Sequence, residues 1–469
     1  MAVLQNVLET ISQVLGGWLM LMLIYQLFLT FFGMTRKVKD YADHPPEARF
    51  LVLVPAHNEG KVIAGIVDCL QHMDYPRELY DFYIIADNCT DDTAEIALSM
   101  GANVIVTTKE GPDAPTGKPI ALRKALIELE GYQDRYDLLM IFDADNVMDR
   151  NMFTEVNSQY QDKGKPDFIQ CYLGSKNNGG PIAWFYYTSY TITNRYFQLA
   201  KHRLGNNVSI GGTGFAMSTR YLYERGGWTT KSLTEDFEIQ VDATLSGRRI
   251  LWNHVVRVLD EKPTSLRASI RQKIRWGQGH WFVALGNTGR VLKSLFTGKL
   301  SVGEFISLFT YMYSLSAYVV ALIQLVIGLV LLLPGFDAPK RSLLSVESPI
   351  TGVLVFLYAW VGLFYVADWM DNKKTFTLKK LPLMIYSFFI NMIPTMMFQV
   401  VGLIRHRRQQ YWVKTEHSIL RKVPATHGQP TGDNPSVHPK PLQKASSEES
   451  MLALEDEQTP EPVRQHAAV

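Results

Sequence analysis

Residues 14 to 33, VLGGWLMLMLIYQLFLTFFG, carry no charge at any position. About 20 apolar residues are enough for a helix to cross a bilayer, so this run commits the chain to a membrane unless it is cleaved as a signal peptide. A signal peptide wants a basic segment before the apolar run and an A-x-A site after it, and neither is present. Instead TRKVK follows directly, with Arg36, Lys37 and Lys39 after the run and no Lys or Arg before it. The positive-inside rule then predicts an external N-terminus and a cytoplasmic domain after residue 35. Three more apolar runs come late, within 305 to 333, at 350 to 367 and at 381 to 404, and the long stretch before them is of soluble character.

The last run contains Asn391 and Pro394 and is followed by RHRRQQYWVK. A full crossing there would leave this basic segment outside, so 381 to 404 is expected to be a re-entrant or interfacial helix broken at Pro394. The alternative is an extra helix hidden in 301 to 333. From about Pro424 the chain is rich in Pro, Ser, Glu and Gln, a composition that cannot bury a core and is expected to be disordered. The expected division is a membrane helix at 1–35, a soluble domain at 48–262 and amphipathic interface helices at 263–300. Membrane and interfacial helices at 301–404, a cytoplasmic loop at 405–421 and a tail at 422–469 complete it.

A hydrophobic content of 47% suits a membrane protein, and the net charge of +2 selects no partner. No basic stripe with interleaved aromatics is present, which argues against nucleic acid. Cys69, Cys89 and Cys171 are odd in number and lack metal-ligand spacing, as in a reducing compartment.

The soluble domain opens with ARFLVLVPAHNEGKVIAGIVDCL, a continuous apolar run, a polar turn and then helical periodicity. YDFYIIADNCTDDTAEIALSMG repeats that pattern, NVIVTT reads as a strand, GKPIALRKALIEL as a helix and YDLLMIFDADN as a strand ending in acids. Strands alternating with helices predict an α/β fold with an open, mostly parallel sheet flanked by helices. Ligands in such sheets bind beyond the carboxyl ends of the strands, where Glu59, Asp87, Asp143 and Asp145 collect.

Two carboxylates two residues apart at a strand end can face one hard cation that also holds phosphate oxygens. A loop or capping cluster is the plain alternative, and Asp87 alone reads as a helix cap and Lys118 alone as a surface charge. Together they fit a nucleoside diphosphate, with acids for base, ribose and metal and a Lys for phosphate. Downstream, Gly212-Thr213-Gly214 is either a turn or bare backbone that a sugar can approach. Thr234-Glu235-Asp236 opens an amphipathic helix, where acids are ordinary capping. Further on stand Gln272, Arg275 and Trp276 as Q-x-x-R-W.

In this order, Asp87, Asp143-x-Asp145, Thr234-Glu235-Asp236 and Q-x-x-R-W resemble the signature of processive membrane-embedded family-2 glycosyltransferases: the cellulose, hyaluronan, chitin and poly-N-acetylglucosamine synthases. The likeness spans residues 50 to 285 and departs from the pattern at Ala86, where the family often has an acid. It implies a cytoplasmic glycosyltransferase domain of GT-A type between membrane and interfacial helices, in a bacterial plasma membrane, extending a β-linked glycan from a UDP-sugar. By the same resemblance Glu59 and Asp87 hold uridine, Lys118 and Arg275 the diphosphate, and Asp143 with Asp145 a Mg²⁺ or Mn²⁺ ion. Asp236 is the implied general base, and Gly212, Thr213, Gly214, Glu235, Gln272 and Trp276 face the acceptor. Trp412, Lys414 and Thr415, in YWVKTEHS, resemble a gating loop, though an aromatic anchor at the bilayer edge fits as well. Membrane lipids are expected partners, and a homo-oligomer is compatible with the pattern. A transferase adding one sugar to a lipid is the main alternative, and a transporter without catalysis would leave the acidic motifs unused.

Overall fold

The computed structural model describes residues 1–109, 111, 116–331, 333–336, 349–374 and 377–409. The expected gating residues Trp412, Lys414 and Thr415, and the tail, lie outside them. The first apolar run belongs to one helix, α1 (Ala2–Gly33). Strands and helices then alternate as predicted: β1 (Phe50–Ala56), α2 (Ile63–Gln71), β2 (Tyr80–Asp87), α3 (Thr93–Ser99), β3 (Asn103–Thr107) and α4 (Lys118–Glu128). After them come α5 (Tyr132–Arg135), β4 (Leu138–Ile141), β5 (Val147–Met148), α6 (Met152–Asp162) and β6 (Phe168–Ser175). Helix α7 (Gly180–Thr193) passes through a π-helical turn at Asn194–Leu199 into α8 (Ala200–Arg203). The domain closes with β7 (Phe215–Ser218), α9 (Thr219–Glu224), α10 (Glu235–Leu245) and β8 (Ile250–Asp260).

All eight strands form one sheet in the order β3-β2-β1-β4-β7-β6-β8-β5. The strands β3, β2, β1 and β4 run parallel, and β7 is antiparallel to both of its neighbours. The continuous apolar character of β1 has a direct cause: Phe50, Val52 and Val54 fill the core under one face of the sheet and Leu51 and Leu53 the core under the other. A strand covered on both faces has no polar side to show. The result is the open, mostly parallel α/β sheet that the alternation predicted.

Strand β8 carries a bulge. Its pairing with β6 skips from Cys171–Asn253 to Tyr172–Arg257, and Asn253 Oδ1 accepts from the amides of Val255 and Val256 to hold the extra residues. The bulge carries His254 to Asp371, 3.0 Å away, where Arg195 from the π-helical turn also pairs through Nε at 2.9 Å.

Helix α11 (Leu266–Phe296) carries Q-x-x-R-W, and α12 (Val302–Met312), α13 (Ser316–Val330), α14 (Pro349–Asn372) and α15 (Leu381–Ile404) follow. Two corrections to the expected membrane region result. Residues 301 to 333 do divide, since α12 and α13 meet at a 56° bend. And α15 is not broken: Pro394 sits inside one continuous helix. Side chains just before and after Pro394 bond back to the same backbone, Asn391 Nδ2 to the Ser387 carbonyl at 2.9 Å and Thr395 Oγ1 to the Asn391 carbonyl at 2.5 Å.

Among the described residues, Ala2–Gly33 and Leu378–Ile404 are each long and apolar enough to cross a membrane, and the bent pair α12–α13 is a third candidate. The bent pair runs antiparallel to α1, with Trp18 Nε1 donating to Ser316 Oγ and Ser12 Oγ to Gln324 Oε1. Both ends of α15 meet catalytic-domain elements. At its start Lys380 lies 4.9 Å from the ring of Trp184 on α7, and just past its end Gln409 Oε1 accepts from the amide of Leu233.

Candidate active site

Parallel strands deliver their following loops to one edge of a sheet, so Glu59 after β1, Asp87 at the end of β2 and Asp143 after β4 stand on three adjacent strand ends. The first two loops are stitched together: Asn58 Oδ1 accepts from the Thr90 amide at 2.7 Å, and the Glu59 amide donates to Thr93 Oγ1 at 2.8 Å. Asp87 is buried and fixed by Thr107 Oγ1 and Asn88 Nδ2, each 2.8 Å from Oδ1. That locks a carboxylate at the rim where a base or ribose hydroxyl would meet it.

Lys118 is the first residue of α4 and reaches across to Asp143 at 2.6 Å and to the Gly212 carbonyl at 2.7 Å. Burial works against its charge, but Asp143, Glu235 and Asp236 together hold the ammonium above its ordinary pKa. It stays a cation at neutral pH.

The two acids of D-x-D do not share one environment. The side chain of Asp143 is 45% exposed, whereas Asp145 is buried, with Oδ2 accepting from the Glu261 amide at 2.7 Å and Lys176 Nζ on its carbonyl. Asn146 turns the loop: its Oδ1 accepts from the Asp143 amide and from Thr213 Oγ1, which itself accepts from that amide. Sequence reasoning missed Asn146, although it follows D-x-D directly. It missed Gln170 as well, a polar side chain in the apolar strand β6 that donates to the Thr213 carbonyl and accepts from the Gly211 amide.

The glycine segment has a different job from the expected acceptor contact. Thr213 is buried and spends its hydroxyl on the D-x-D turn. Gly214 has φ +62°, and a Cβ there would meet Val258 at 2.6 Å, so core packing demands it. Gly212, φ +76°, faces the chemistry, since a Cβ would come 3.1 Å from Asp236 Oδ2.

Glu235 and Asp236 open α10 within reach of those charges. Burial first and the negative charge of Glu235 second push the Asp236 carboxyl up to about 7, while the Phe237 amide, Lys118 and Arg275 pull the other way. Burial also raises Glu235, opposed by Lys118 and Arg275. A carboxyl poised near neutrality can take a proton and release it again.

Two glycine contacts fix α11 beside this pair. A Cβ on Gly279 would lie 2.7 Å from the Thr234 amide nitrogen, and one on Gly402 of α15 would lie 2.9 Å from the carbonyl carbon of Gly277. The helix is thus held between α10 and α15 at backbone contact. Arg275 and Trp276 are partly buried, and Gln272 Oε1 accepts from Tyr186 on α7 at 3.0 Å. The Tyr186 ring meets Trp276 edge-on at 6.3 Å. Tyr186 lies in an aromatic-rich helix and nothing in the sequence distinguished it.

Among the described residues no group of three or more His, Cys, Asp or Glu could hold a metal ion. The donor set fits a hard cation that takes only one or two protein carboxylates and completes its shell with phosphate oxygens and water, as Mg²⁺ does. Asp143 and Asp145 would supply them.

The sequence profile described as "Glycosyltransferase like family 2" matches residues 45–279, half of the chain. The chain belongs to glycosyltransferase family 2. The family 2 domain is 26% identical over 247 residues to a beta-monoglucosyldiacylglycerol synthase of Nostoc sp., a match covering 52% of this chain and 51% of the relative. It is 21% identical over 273 residues to the poly-beta-1,6-N-acetyl-D-glucosamine synthase of Staphylococcus aureus, covering 56% and 64%. The chain thus spans only about half to two thirds of the length of these curated relatives. A mannosyltransferase from Pyrobaculum calidifontis, solved with GDP-Man and Mn2+, shares the fold at TM-score 0.57 and 16% identity, over 86% of this chain and all of that one. The family 2 domain has a GT-A fold.

Proposed function

We propose that the enzyme extends a β-linked glycan from a UDP-sugar, with inversion, at the cytoplasmic face of a membrane. The observation that supports the reading is the placing of one helix: α11 sets Arg275 within the field of Asp236 and Glu235, and its glycines 279 and 277 meet Thr234 and Gly402 at backbone distance on either side of it. Donor contacts lie on the strand-end loops, and an aromatic platform for a sugar ring lies opposite. The acceptor hydroxyl oxygen attacks the anomeric carbon as the bond to the UDP oxygen breaks, and Asp236 takes the hydroxyl proton. Lys118 and Arg275 stabilise the charge left on the diphosphate. A Mg²⁺ or Mn²⁺ ion held by Asp143 and Asp145 would neutralise more of it.

The same reading assigns the topology. Helices α1, the bent pair α12–α13 and α14 cross, and α15 lies in the interface, because one spanning helix could not have both ends against the same soluble domain. The basic segments at 36–39, 373–380 and 405–408 then stay cytoplasmic, as the positive-inside rule asks. A cysteine at position 406 that reacts with an impermeant reagent from outside intact cells would refute it.

A second reading, transfer of one sugar to a lipid, is favoured by the likeness to a glucosyldiacylglycerol synthase. Purified enzyme in nanodiscs, given labelled UDP-glucose or UDP-N-acetylglucosamine, separates the two. Long water-soluble chains support polymerisation; a single-sugar product that partitions into organic solvent overturns it.

A further inference from the structure

A cavity of about 440 Å³ lies where α1 and α14 end against the sheet domain. Its wall carries Arg36, Arg195, Arg257 and Lys373 against the carboxylate of Asp371. Two of these cations are committed internally. Arg195 Nη1 donates to the carbonyls of Gly33 and Thr35 while its other nitrogens hold Asp371, and Arg257 Nη2 donates to the Asp371 carbonyl at 2.8 Å. They shape the wall, and Asp371, already paired with Arg195 and His254, has little charge left for the others.

Arg36 and Lys373 differ. Both are exposed, and neither joins an ion pair among the described residues. Arg36 lies 5.9 Å from the centroid of the Trp369 ring, and Lys373 makes one long bond, 3.4 Å, to the Met370 carbonyl. Trp369 is 51% exposed, and an exposed indole is a residue type that aromatic belts place at the membrane–water boundary. Cationic excess, an amphipathic ring and the ends of two apolar helices coincide at one depth.

We propose that this cavity binds the phosphate headgroup of an anionic membrane lipid, with Arg36 and Lys373 as the two cations that hold it. The proposal rests on the reading above that α1 and α14 enter the bilayer. A soluble phosphate has the same head chemistry, but the cavity opens at the membrane boundary and is walled in part by Trp369, Met370 and Val255, which suits a ligand with acyl chains.

The test compares the full chain with its Arg36→Gln/Lys373→Gln variant, both purified in non-ionic detergent and titrated with phosphatidylglycerol under native mass spectrometry. Each cation near an anionic surface is worth roughly 5-fold, so the double variant should bind about 25-fold more weakly. A second variant, Lys293→Gln/Lys299→Gln, removes the same charge from exposed positions outside the cavity and should bind as wild type. Equal weakening in both variants, or none in either, overturns the site. Displacement of the lipid by millimolar inorganic phosphate makes it a soluble-anion site and overturns the lipid assignment. Release of the wild-type chain from membranes by alkaline carbonate would instead remove the membrane reading beneath it.

Discussion

The backbone contact between α11 and α15 can be tested with one methyl group. In Gly402→Ala the new carbon would stand 2.9 Å from the Gly277 carbonyl carbon, 3.0 Å from its Cα and 3.1 Å from the Gln278 nitrogen. Carbon contacts settle at about 3.5–4.0 Å, so the helices must separate by roughly 0.5–1 Å. None of those atoms is a side-chain tip that could swing aside. Nor can α11 retreat toward α10, because Gly279 already meets Thr234 at backbone distance. The displacement therefore falls on the α11–α15 pair, next to Arg275 and Trp276. A shift of about 1 Å remote from the reacting atoms can cost about 10²-fold in rate, so kcat for UDP release should fall about 10- to 100-fold. KM for the donor should change less than kcat, since all of its proposed contacts except Arg275 sit on β1, β2, β4 and α4. Overpacking of this kind typically costs about 1–3 kcal/mol, visible as a lower Tm in detergent. Gly286→Ala on the same helix α11 is the control: nothing lies within 4 Å of its Cβ, and removing a helical glycine should raise Tm with kcat unchanged. Wild-type kcat and Tm in Gly402→Ala would mean that the crossing does not position the motif.

Three further outcomes follow from the site. Asp236→Asn keeps the shape but cannot take the proton, so isothermal titration should find UDP bound as before while transfer drops about 10²–10⁴-fold; near-normal transfer would leave Asp236 a mere cap. With its carboxyl raised to about 7, Asp236 is largely protonated below neutrality, so kcat should climb with pH through that value. Glu235→Gln removes a negative neighbour that raises it, and the acid limb of the kcat profile should move to lower pH; an unmoved limb assigns it to another group. Chelation with excess EDTA should abolish transfer and added Mg²⁺ or Mn²⁺ should restore it, whereas undiminished activity would remove the metal from the reading.

The sheet was legible because both faces of its central strand β1 are buried, which turns it into a continuous apolar run. The acids were legible because they stand at the ends of such runs. What each residue does within the site was less so. D-x-D spacing suggests two equivalent ligands, yet the Glu261 amide draws Asp145 inward while Asp143 stays exposed, and that partner lies over a hundred residues away. Thr213 between two glycines looked like open backbone, and it is instead a buried strut for the D-x-D turn. Pro394 suggested a break, but the bonds that Asn391 and Thr395 make back to the helix cannot be seen in a pattern of residue types. Tyr186 was invisible because its role depends on which face of α7 meets α11.

The support that α15 gives to α11 has a bearing on when the enzyme can first act. A chain is made from its N-terminus, and the sheet with Asp143, Asp145 and Asp236 is complete long before residues 381–409 leave the ribosome. Until then Gly277 lacks the surface it rests on, and Leu233, just before the Asp236 turn, lacks Gln409. On this reading the site of a nascent chain would stay without its last support until α15 is made, after the helices proposed to cross the membrane. A chain ended at residue 380 should bind UDP with the affinity of the full enzyme and transfer no sugar, and robust transfer by that fragment would show that the site matures on its own.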